Sequence, residues 1–239
     1  MLAREHEGGQ PMLSQRLLLS VAEELKLPLL QIARRAEQGQ LSGEADLPGI
    51  RATADTALRL LDNYALAVQL TMEKQQLDNE SLTVSSVLYD SGQQLDALAK
   101  AYDVKLELNI SGRFGPVMAH RQGLQAALVS LGAALIEALP AQGQPEQVKL
   151  QLAAHRSRYG IVAGVYADTK QLTSQALQRA RALQSSRQPF QSLSHTSGAG
   201  VFVADAILQA MNLNLTASRH HGLYGLGAVL QPNYQMQLV

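Results

Sequence analysis

From Leu18 to Val68 apolar residues recur at alternating spacings of four and three, broken once, and this double stripe constrains the fold more than any other feature. The first stripe, Leu18, Ala22, Leu25, Leu29, Ile32 and Ala36, is the seam of a long amphipathic helix. Pro28 lies inside it, where it removes one backbone hydrogen bond at a cost of about 3 kcal/mol unless packing compensates. Gly39 to Pro48 then brings two glycines, a proline, Ser42 and Asp46, the composition of a helix stop, a loop and a new N-cap. The second stripe, Ile50, Ala54, Ala57, Leu61, Tyr64 and Val68, predicts another helix to about Lys74, so the two helices form an antiparallel hairpin. Narrow stripes leave apolar surface uncovered. A second hairpin would complete a four-helix bundle, which predicts a homodimer; the competing arrangement folds the hairpin back onto the chain's own C-terminal region.

After Leu77 the periodicity changes. A short β-like piece at Leu82 to Val84 leads into a helix over Ser85 to Tyr102, apolar at Val87, Leu88, Leu95 and Leu98. Val104, Leu106, Leu108 and Ile110 alternate with Lys105, Glu107 and Asn109, which predicts a half-buried strand ended by Ser111 and Gly112. Gln122 to Leu139 is a helix almost free of charge, as expected for one lying against a sheet. Strands over Val148 to His155 and Gly160 to Ala167 read as a hairpin. Leu172 to Gln184 reads as a helix, Ser185 to Gly200 as a polar, mobile loop, and Val201 to Met211 as a helix. Strands near Leu213 to Ala217, Gly225 to Leu230 and Tyr234 to Val239 complete an α+β chain: a flexible N-terminus (1–12), a dimerisation hairpin (13–76) and an α/β sandwich (77–239).

Composition removes several function classes. Basic and acidic side chains balance at 20 each, without a cluster that would attract nucleic acid or anionic lipid. No apolar run approaches the roughly 20 residues that cross a bilayer, and Met1 to Gln10 is polar, so a cytoplasmic protein is expected. With no cysteine, disulfides, thiolate zinc sites and thiol nucleophiles are excluded. His6, His120, His155, His195, His220 and His221 show no spacing that sets two imidazoles on one helical face, and no metal site is expected. The adjacent His220 and His221 read as loop or edge histidines, which in a strand would point to opposite faces.

Glu23-Glu24-Leu25-Lys26-Leu27-Pro28-Leu29 resembles the phosphoacceptor motif of sensor histidine kinases, His-Glu-Leu-Arg-Thr-Pro-Leu, and the order of hairpin and α/β region is similar to that family's transmitter core. The resemblance implies a fold of histidine-kinase ATPase type behind a helical hairpin, and it gives Pro28 a reason to be there. Glu23 stands at the phosphoacceptor position, and a carboxylate has no imidazole nitrogen to attack a γ-phosphate. Ala134 stands where the family's asparagine holds magnesium, and a methyl group offers no oxygen to a hard cation. Asp168, just after a strand, matches the aspartate that recognises adenine, but Thr169 to Leu172 replaces the glycine-rich turn; an aspartate there is equally an ordinary turn residue. Gly198 and Gly200 resemble the second glycine box, where backbone N–H groups meet phosphate, and equally fit a loop hinge or N-cap.

The resemblance therefore implies a two-component signalling protein with damaged catalytic motifs, a pseudokinase or adaptor. It would dimerise through the hairpin and bind a response-regulator receiver domain around Glu23, Lys26, Leu27 and Arg34, with no catalytic residue and no cofactor. ATP and magnesium enter only under the alternative, an active kinase or phosphatase with an unorthodox acceptor, using Asp168, Gly198 and Gly200. A plain dimeric scaffold is the third reading.

Overall fold

The computed structural model describes residues 11–110, 112–138, 148–168 and 199–233. Helices α1 (Pro11–Ser42) and α2 (Leu47–Glu73) form the hairpin that the double stripe predicts. The residues read as a helix stop build its turn. Gly43 takes a φ of +75°, and Asp46 caps α2 by accepting from the Gly49 amide at 3.0 Å. The same carboxylate meets Arg35 of α1 at 2.7 Å and ties the helices together. Lys74, in the left-handed region, ends α2.

The face each helix buries differs from the predicted seam. On α2 the buried residues are Thr53, Thr56, Ala57, Leu60, Tyr64, Ala67 and Leu70, whereas Leu58 and Leu61 are 58% and 39% exposed. On α1, Pro28 and Gly39 are buried and Leu25, Ile32 and Arg35 half-buried, while Ala22, Leu29 and Ala36 are exposed. Each stripe keeps every second predicted residue and moves the others one place, turning the buried face by about 50° at 3.6 residues per turn. The cause is the surface against which α2 packs. Leu60, Tyr64, Ala67 and Leu70 belong to the same continuous core as the helices of the α/β region.

That region runs β1 (Glu80–Leu82), α3 (Val84–Ala101), β2 (Lys105–Ile110), β3 (Val117–Ala119), α4 (Arg121–Ala138), β4 (Lys149–Ser157), β5 (Gly160–Ala167), α5 (Ala199–Ala210), β6 (Leu215–His220) and β7 (Leu223–Pro232). The strand order is β1-β3-β7-β5-β4-β2, with β6 also paired to β7. Only β2 with β4 is parallel among these pairs; the others are antiparallel. The three-residue β3 is too short to show a period, and the sequence reading missed it. Leu108, expected on the buried face of β2, is 42% exposed, because β2 is an edge strand. The expected helix at 172–184, most of the 185–200 loop and the last strand, 234–239, lie outside the described residues.

Helix α4, charged only at Arg121 and Glu137 near its ends, sits in the middle of the molecule, buried along most of its length. Gly132 lets α3 approach, since a Cβ there would strike Leu95. On its other side Asn63 of α2 donates to Ser130 Oγ at 3.3 Å. After α2 the chain is pinned twice more: the Leu77 amide donates to the Ala210 carbonyl at 2.8 Å, and Asn79 Nδ2 to the Met211 carbonyl at 3.2 Å. Among the described residues no helix is long and apolar enough to cross a membrane.

Candidate functional site

Two of the motif positions read from the sequence come together where α5 begins. A Cβ added to Gly200 would lie 2.6 Å from the Ser130 carbonyl oxygen and 3.0 Å from the Ala134 Cβ, so the first turn of α5 can lie on α4 only because both positions are small. Ala134 is half-buried there and presents a methyl. Ser130 Oγ, one turn away, is directed to Asn63 of α2. This set of groups does not fit a magnesium ion, which requires oxygen ligands in near-octahedral array.

Asp168 stands exposed at the carboxyl end of β5. Gly198 and the turn Thr169 to Leu172 lie outside the described residues, and Gly200 is the second residue of α5. On the hairpin, Glu23, Lys26, Leu27 and Arg34 are all residues of α1. Lys26 and Arg34 are exposed, and their separation of eight positions amounts to a little over two turns, about 12 Å along the axis. Pro28, in the same motif, is buried.

The sequence reading missed a cluster on the sheet face opposite the helices. His155 of β4 and His220 of β6 stack with ring centroids 4.8 Å apart and planes 15° apart. Tyr166 of β5 lies 5.9 Å from the first and 5.5 Å from the second. Strands β4 and β6 are separated by β5 and β7, so on a flat sheet they would be about 14 Å apart. Ring contact across them means that this face is hollow. Gly164, Gly225 and Gly227 form its bed: a Cβ at Gly225 would strike the Val165 carbonyl, and Tyr166 fills the room this leaves.

His220 is the last residue of β6, a strand paired only to β7, as the edge reading expects, yet it is buried. His221 takes a φ of +47° in the turn. That conformation returns its ring to within 4.2 Å of His220, instead of to the opposite face. Burial, then the neighbouring histidines, lowers the pKa of His220; burial and His221 do the same to His155. Burial raises the Tyr166 hydroxyl to about 12, although it accepts a hydrogen bond from Ser218 Oγ at 2.8 Å, which opposes the shift. No group of three or more potential ligands among the described residues is arranged to hold a metal ion. No spacing in the sequence signals this cluster, because its members come from three strands and a turn.

A mixed sheet covered on one face by helices, with a helical hairpin before it, is the fold of a histidine-kinase transmitter core, and a solved structure bears this out. The full-length ShkA structure, in complex with AMPPNP, superposes with a TM-score of 0.53 at 12% identity, covering 92% of this chain and 46% of that one. The Acinetobacter baumannii histidine kinase AdeS matches at 15% identity and a TM-score of 0.48, over 88% of this chain and 98% of its own. A histidine kinase from Burkholderia phymatum STM815 matches at 13% identity and 0.43, over 94% and 100%. At these identities the likeness concerns the fold alone. No family model matches the sequence, and no curated protein does.

Proposed function

We propose that this chain is a protein of two-component signalling that works by binding and not by phosphoryl transfer. The observation that carries this reading is Ala134: where the resemblance places a metal-holding asparagine, a methyl group packs against Gly200. Glu23 at the phosphoacceptor position supports it, since a carboxylate cannot take the part of an imidazole nucleophile. The chain pairs with a second copy through its hairpin and offers the α1 surface around Glu23, Lys26, Leu27 and Arg34 to a receiver domain.

The test is incubation of the purified chain with γ-labelled ATP and magnesium, beside a pulldown of receiver domains by wild type and by the Lys26→Glu, Arg34→Glu variant. No label on the protein and receiver capture lost in the variant are expected. A labelled protein would overturn the reading. Capture of no receiver by wild type would leave the plain scaffold instead. The second reading, nucleotide binding with an unorthodox acceptor, draws on the exposed carboxylate of Asp168 after β5 and on the AMPPNP held by ShkA. It requires magnesium-dependent ATP binding that Asp168→Asn abolishes.

A further inference from the structure

The segments that reach the end of the sheet remote from Asp168 lack acidic residues: no Asp or Glu occurs in 112–136, 148–167 or 206–233. Arg113, Arg156 and Arg158 fall within them, and the fold gathers them at one place. Arg156 Nη2 donates to the Arg113 carbonyl at 3.1 Å, which brings the Arg113 backbone to the β4–β5 turn. Arg156 and Arg158 line a half-open cavity of about 410 Å³ bounded by that turn, the loop before β3 and the end of β7.

The uncharged polar groups of this cavity already shape its wall. Ser157 Oγ donates to the Gly160 carbonyl at 3.0 Å and accepts from the Tyr159 amide at 3.2 Å. Gln231 Nε2 donates to the Tyr159 carbonyl at 3.2 Å, and the Asn233 amide to the Pro116 carbonyl at 2.7 Å. The guanidinium groups are the donors left over. Arg158 lies 4.5 Å over the Tyr159 ring in a cation–π contact. Arg156 uses one of five N–H groups on Arg113. Among the described residues neither forms an ion pair.

A cavity of this size is in the range that takes small ligands, about 300–1,000 Å³. Planar guanidinium groups recognise phosphate oxygens in bidentate fashion, and two of them in one wall suit a ligand with more than one charged group. The place is distinct from the Asp168 end. Ile161 and Asp168 mark opposite ends of β5, about 23 Å apart at the rise of a strand.

We propose that this cavity binds a small ligand carrying a linear di- or triphosphate. Calorimetric titration of the full chain with pyrophosphate and with tripolyphosphate tests it, repeated on Arg156→Ala, Arg158→Ala and, separately, on Asp168→Asn. Tripolyphosphate should bind one per chain, and more weakly when salt rises from about 0.05 to about 0.3 M. Binding should fall at least about tenfold in the double arginine variant and persist in Asp168→Asn. Both arginines are exposed, so melting curves should coincide; if they do not, Arg156→Lys, Arg158→Lys keeps the charge and should show a smaller loss, since lysine lacks the bidentate edge. Absence of heat, or equal heat in wild type and the alanine variant, overturns the proposal. Tighter binding of an oligoglutamate peptide than of tripolyphosphate also overturns it, in favour of an acidic segment of a protein partner.

Discussion

At the scale of single residues, small side chains set how closely the helices approach. Ala134 and Gly200 were readable as positions in motifs, but not as neighbours; their contact comes from the crossing of α4 and α5. The imidazoles give a consequence that can be measured. His155 and His220 both titrate below their ordinary 6.5 in the folded protein. As pH falls below that value the unfolded chain takes up protons first, so stability is complete above about pH 6.5 and is lost as pH falls through the depressed folded values. The melting temperature should therefore drop between about pH 7 and pH 5, and His220→Gln should flatten that dependence. A slope identical in wild type and variant, measured by circular dichroism, would remove His220 from the account. At the alkaline end Tyr166 adds stability that is full below about pH 10 and declines towards its folded value of about 12.

At the scale of elements, α2 teaches most. Its sequence carries apolar residues on two adjoining faces, with Leu58 and Leu61 on one and Leu60, Tyr64 and Ala67 on the other, and periodicity alone could not say which is covered. The α/β region decides, because Leu60 is 2% exposed within the core shared with α3, α4 and α5. Leu60→Ala should cost about 2–5 kcal/mol through lost transfer energy and the cavity left behind. Leu61→Ala should change stability by less than about 0.5 kcal/mol at protein concentrations low enough to keep the chain monomeric. Urea denaturation of the two variants separates the faces; equal losses would mean that α2 is seated otherwise. The strands of the β4–β5 hairpin were legible because their alternation and turn are local, whereas the edge position of β2 depends on pairing with β4, 44 residues onward.

At the scale of the whole molecule, hairpin and sandwich share one core, so α2 is a structural part of the α/β region as well as half of the hairpin. Of the leucines left outside, Leu29, Leu30, Leu58 and Leu61 lie at similar distances from the hairpin turn and hence at one height. They are the surface for pairing under the proposed function. Light scattering should give twice the 25.8 kDa of the chain for wild type and the single mass for Leu29→Glu, Leu61→Glu, with little change in melting at low concentration. A wild-type monomer would sink the pairing. Local periodicity and turn chemistry let the sequence by itself determine the described helices, most of the described strands and their order, and a resemblance in sequence pointed to Glu23, Ala134 and Asp168 as motif positions. Only the tertiary structure decided which helical face is buried, that Ala134 rests on Gly200, that three histidines and a tyrosine meet across four strands, and that two arginines share a cavity. Those contacts join residues far apart in the chain, and the packing energy that selects them leaves no local pattern to read.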